Sequence, residues 1–173
     1  MKSLLFLFVF FVSSLLFAVD PVEFQVGGFS FDRPSSWSWI VPTSSMRKAQ
    51  LEVPGANQSK ADVTFFHFGP GQGGGVKANV DRWFGQFQNA KTAQNEVDLG
   101  GVRVVFVQAS GTFSSGMPGG PTTPMDNYAL RGAILQDEAK GDVFVKMTGP
   151  LALVESAWTD FEAMVKTAAG TKQ

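Results

Sequence analysis

The chain has 173 residues, a formal net charge of −1, 44% hydrophobic side chains and no cysteine. The near-neutral balance leaves no basic face for nucleic acid. Without thiols there can be no disulfide, zinc–thiolate site, thiol nucleophile or lipid attached through cysteine, so stability must come from a core rich in phenylalanine and tryptophan.

Residues 1–18 read as a signal peptide. Lys2 supplies the positive start, Leu4 to Phe17 an apolar run interrupted by Ser13 and Ser14, and Ala18 a small residue before Asp20-Pro21. The run is shorter than the roughly 20 residues of a membrane-spanning helix. Leu16, three residues before a cut after Ala18, is larger than such sites prefer, so a retained N-terminal membrane anchor is the alternative. The remainder, 19–173, shows no repeat or composition shift and is read as one globular domain placed outside the cytoplasm.

Phe24 to Phe31 predicts a strand with a bulge at Gly27-Gly28, because the apolar parity changes there. Trp37 and Trp39 follow in a turn-rich stretch, as core anchors or as an aromatic platform. Ala49, Leu51 and Val53 alternate with polar residues in a half-buried strand, and Asp62 to Phe68 is apolar on both parities, as an interior strand would be. Val76, Val80, Trp83, Phe84 and Phe87 share one face of a predicted helix. Val97-Asp98-Leu99, Gly100-Gly101 and Val102 to Phe113 read as a hairpin, then Ser114 to Asp126 as a long loop. A second hairpin joins Tyr128–Gln136 to Asp142–Thr148, and Leu151 to Ala168 forms a last helix after Pro150, with Gly170 as its stop. The fold class expected is α+β: an antiparallel or mixed sheet covered by two amphipathic helices, with one strand–helix–strand crossover over residues 62 to 99.

Two segments carry a resemblance. Phe31-Asp-Arg-Pro-Ser-Ser-Trp37 is similar to the Phe-x-x-Pro-x-x-Trp opening of PsbP-like proteins, relatives of the photosystem II extrinsic protein PsbP. Val143-Phe-Val-Lys-Met-Thr-Gly-Pro150, feeding a helix with Trp158, Phe161 and Met164, resembles their ending. The likeness in element order covers most of residues 23 to 168. It implies an α/β/α sandwich around an antiparallel sheet and a non-catalytic binding or assembly role. No metal or photosystem-contact motif of the family can be placed on this chain, and the glycine-rich segment has no counterpart in the family pattern.

That segment, Gly69-Pro-Gly-Gln-Gly-Gly-Gly75, lies between a strand and a helix. Gly69, Gly71 and Gly74 fit G-x-G-x-x-G. Pro70 stiffens the turn, no alternating strands and helices follow, and no nucleotide pool exists outside the cytoplasm, so dinucleotide binding is set aside. A phosphate-binding P-loop fails because Val76 precedes Lys77 and Ala78 follows it. Two readings remain: Gly73, Gly74 and Gly75 present backbone N–H groups to a small anion, helped by Lys77 and Arg82, or the glycines only let the chain turn and pack close. His67, the single histidine, is a general acid/base or a hydrogen-bonded strand end.

No carboxylate pair, nucleophile set, metal site or cofactor motif is found. The sequence therefore predicts an exported, non-catalytic binding or assembly protein with an unknown protein partner. The alternative is a small-molecule or anion-binding protein, weakly hydrolytic at most, built on Gly73, Gly74, Gly75, Lys77, Arg82 and His67. A membrane enters only if the leader is retained.

Overall fold

The computed structural model describes residues 22–115 and 123–170, so the leader expected over 1–18 lies outside the described residues. The first ordered unit is a two-stranded hairpin, β1 (Glu23–Val26) and β2 (Phe29–Asp32), pairing Val26 with Phe29 and Phe24 with Phe31. This corrects the single bulged strand. Across a two-residue turn the paired residues share a face, so a reversal produces the same parity change as a bulge, and all four apolar side chains are buried.

Seven strands form the main sheet: β3 (Ser38–Trp39), β4 (Arg47–Pro54), β5 (Lys60–His67), β6 (Phe87–Leu99), β7 (Val102–Ser115), β8 (Thr123–Leu135) and β9 (Val143–Pro150). Their spatial order is β3-β4-β5-β9-β8-β7-β6, and every neighbouring pair is antiparallel. β5 and β6 run in the same direction at a distance, and helix α1 (Gly75–Phe84) makes the expected crossover between them. The Gly100-Gly101 turn has positive φ at both residues, +64° and +87°, as a tight hairpin requires. After β9 the chain turns at Pro150 into α2 (Leu151–Ser156) and α3 (Trp158–Gly170).

Several boundaries move. The first helix stops at Phe84 because Gly85 caps it, and Phe87 opens β6 instead, packed at a tilt against its cross-strand partner Phe113 with ring centres 5.0 Å apart. β6 extends back to Phe87 through residues 88–96, which are mostly polar and exposed; an edge strand needs no apolar alternation to pair on one side. The long loop expected over 114–126 shortens, because Ser114 and Ser115 pair with Pro124 and Thr123. The last helix is two segments that meet at Ala157. Three α-helices are therefore present among the described residues, besides a short 3-10 turn at Ala56–Gln58, and the β1–β2 hairpin adds to them. Trp37 is buried and Trp39 packs edge-on against Phe24, so these tryptophans are core anchors and not a platform.

Strand alternation divides the core between the two faces of the sheet. Val104, Phe106, Ala133, Leu135, Val145 and Met147 point to α2, α3 and the hairpin, meeting Val154, Phe161, Val165 and Phe31. Val105, Val107, Leu130, Ile134 and Phe144 point the other way, to Val80 and Trp83 of α1. The two covers are unequal. A ten-residue helix is about 15 Å long, whereas seven strands span roughly 29 Å. On its face α1 leaves the β4–β5 side of the sheet uncovered.

Trp83 seats α1 by packing its six-membered ring against β8 at Gly132, where a Cβ would overlap the indole. Gly132→Ala is expected to destabilise the fold by about 1–3 kcal/mol through overpacking. Gly170→Ala, with no atom near its added methyl, should stay within about 0.5 kcal/mol of the parent. Urea unfolding followed by tryptophan fluorescence measures both.

Candidate functional site

Where α1 ends its cover, a cavity of about 330 Å³ opens beside it. Its apolar walls are Trp83 on α1, Phe66 and Phe68 at the end of β5, and Phe144 on β9. The rings of Phe66 and Phe68 are stacked, with centres 6.4 Å apart, and Phe68 also approaches Phe144 at 6.3 Å. Met46 and Phe68 stand at the mouth, 60% and 43% exposed, where soluble proteins seldom leave large apolar side chains together. The polar members are Asn79, Arg82, Gln86 and Lys146.

Each polar group is placed by the fold. Lys146 lies opposite Thr64 of β5 and Gly132 of β8, on the face that α1 only partly covers. Its ammonium donates to the Gln86 side-chain carbonyl at 3.3 Å. Asn79, buried on α1, donates to the carbonyls of Gly73 and Gly75, both at 2.7 Å, and accepts from Arg82. One amide thus ties the glycine turn to the helix and fixes the guanidinium. Desolvation, followed by the charges of Arg82 and Arg47, pushes the pKa of Lys146 down to about 8, against a smaller upward pull from Asp62. Among the described residues neither Lys146 nor Arg82 enters an ion pair. Positive charge is therefore gathered in a protein whose net charge is negative, with no carboxylate in contact to answer it.

The residues proposed from sequence do not share one cavity. Arg82 lines this one. Lys77 is exposed on the helix surface, paired with Asp81 at 2.5 Å. His67 lines a shallower neighbouring depression with Ser45, Lys48 and Gly69. Its Nε2 donates to the Lys140 carbonyl at 2.7 Å, tying the end of β5 to the loop before β9. Gly74 and Gly75 form the turn into α1 with φ of +80° and +75°, and a Cβ on Gly73 would stand 2.6 Å from the Phe144 ring. Close packing thus accounts for Gly73. A groove of about 210 Å³ on the opposite face includes Arg131 and Glu155. There the guanidinium lies 4.9 Å from the Trp158 ring centre, and Glu155 opposes the downward push of burial on its pKa.

The sequence matches no known family profile and no curated protein. Its structure is similar to the solution structure of cyanobacterial PsbP, CyanoP, from Synechocystis, with a TM-score of 0.56 over 90% of this chain and 95% of that one, at 8% identity. The fold is PsbP-like. A protein of unknown function from Pseudomonas aeruginosa aligns over 84% of this chain and 93% of its own, at 12% identity and a TM-score of 0.49. At such identities the PsbP-like likeness describes the backbone and assigns no residue.

Lys146 and Asn79 escaped sequence reasoning for different reasons. Lys146 interrupts an otherwise apolar strand, the one signal that could have flagged it. Asn79 occupies a polar position of an amphipathic helix, and nothing in its spacing shows that it turns inward to the glycine carbonyls. The sign of the Lys146 shift yields a prediction. Its folded pKa is below the ordinary 10.5, so between these values the unfolded chain holds the proton and the folded one does not. Stability contributed here is lowest below pH 8 and rises as pH climbs through that window. Lys146→Met is expected to gain on the order of 1–2 kcal/mol at pH 7, and the gain should fade by about pH 10. Urea titrations of both proteins from pH 7 to 10 measure it.

Proposed function

We propose that this PsbP-like protein is a non-catalytic binding or assembly protein that works outside the cytoplasm with a protein partner, and that it makes contact through the cavity beside α1. The observation that carries the reading is the combination found there: exposed Met46 and Phe68 beside two cations that no carboxylate contacts among the described residues. Apolar surface rimmed by charge is the usual character of a recognition site. At neutral pH the polar set recognises negative charge: two cations and two amides, with Lys146 still largely protonated. The arrangement of helices on both faces of an antiparallel sheet supports the α/β/α sandwich of PsbP-like proteins. No helix among the described residues is long and apolar enough to cross a membrane, and export rests on the leader.

A second reading, a small anionic ligand, is favoured by the depth of the same cavity. It moves the anion site from the glycine turn, Lys77 and His67 to Arg82 and Lys146.

The partner reading is tested by crosslinking in the extracytoplasmic fraction, purification and mass spectrometry, with Phe68→Glu as comparison. Phe68 is 43% exposed but packs on Phe66 and Phe144, so the variant should lose about 1–2 kcal/mol, still melt cooperatively, and lose the crosslinked partner. N-terminal sequencing of the same material should begin at Val19. Equal capture by both proteins removes the cavity from partner binding, and recovery of Met1 removes cleavage.

A further inference from the structure

We infer that the cavity beside α1 takes a small organic acid: one carboxylate set between Arg82 and Lys146, and an apolar body lying against Phe66, Phe68, Trp83 and Phe144. The inference names the ligand class for the anion reading and rests on it. The first argument is the mixed character of the lining. Four aromatic side chains and two cations line the same cavity, so a purely polar anion would leave the rings wet, and a purely apolar molecule would bury an ammonium with no opposite charge in contact. A volume of about 330 Å³ sits at the small end of ligand pockets, which run from about 300 to 1,000 Å³.

The second argument is the number and kind of donors. Asn79 already engages the Arg82 guanidinium and holds it in place, and Lys146 brings a single ammonium steadied by Gln86. Together they match the two oxygens of one carboxylate. A phosphate dianion calls for more donors, normally a row of backbone N–H groups, and the glycine turn that could supply them does not line this cavity. The third argument is the mouth. Met46 is a flexible thioether and Phe68 is half exposed, so bodies of different shape can be accommodated beneath them.

Proton uptake follows from the surroundings of the ammonium. The charged groups acting on Lys146 are Arg82 of α1, Arg47 of β4 and Asp62 of β5, with the neutral Gln86 in contact. The cations dominate, and the free protein releases the Lys146 proton near pH 8. A carboxylate placed beside the ammonium restores it, so binding above that pH is accompanied by proton uptake.

Isothermal titration with octanoate and 3-phenylpropionate, the matching alcohols octanol and 3-phenylpropanol, and inorganic phosphate tests the assignment. Both acids are expected to bind, the alcohols at least about tenfold more weakly, and phosphate without measurable heat. Acid affinity should fall by about tenfold per pH unit above pH 8. Arg82→Met, at an exposed position, and Lys146→Met should each weaken the acids at least about tenfold while the melting transition is retained. Alcohols that bind as tightly as acids, or phosphate that binds in preference to them, overturn the ligand class; the phosphate result leaves the anion reading standing. If no acid binds and phosphate does not either, both fall.

Discussion

A mismatch of dimensions governs this structure: one short helix must cover a face of a sheet roughly twice as wide as the helix is long. On the other face α2, α3 and the β1–β2 hairpin together seal the core. On the α1 face, Trp83 anchors the helix over β8, and the cover ends before β5 and β4. The cavity is what remains. Its floor is made of sheet residues that, under a longer helix, would be ordinary core, which explains why aromatic rings meet solvent there.

The same uncovered margin sets the electrostatics. Lys146 occupies a strand position whose neighbours along β9, Val145 and Met147, are buried. With water partly excluded and two guanidiniums nearby, its charge is unfavourable in the free protein. A sequence selected for stability alone would place an apolar residue there. A tolerated loss of stability at a cavity wall is common where a group is kept ready for a ligand. The contrast with Arg131 is instructive, since that side chain has an aromatic shelf and an opposing glutamate within its own groove.

Much of the fold could be read from residue order. Alternation in β4, the two-sided apolar runs of β5 and β7, the Gly100-Gly101 turn and the stripe of the last helix all appear where periodicity put them, because each depends on local burial. The failures share a cause, which is that the deciding contact lies far along the chain. Phe87 has a helical spacing from Trp83, yet its place is set by Phe113. The polar start of β6 shows no pattern because only β7 pairs with it. The site was the least legible part. Arg82 was named, but its companions come from β9, β5 and the loop ahead of β4, and only the sheet order makes Phe66, Phe144 and Lys146 neighbours.

β9 lies between β5 and β8, although it is the last strand to be made. Until residue 150 is available, the sheet exists only as two separable pieces, β3–β5 and β6–β8, each with an open inner edge. Thr64 and Lys146, which meet across the join, are 82 positions apart, and pairings so remote form slowly. The segment from Val143 onward, less than a fifth of the polypeptide, is thus the latch of the molecule. Such an order of assembly delays completion of the core until that segment docks, and both inner edges are closed by a single strand.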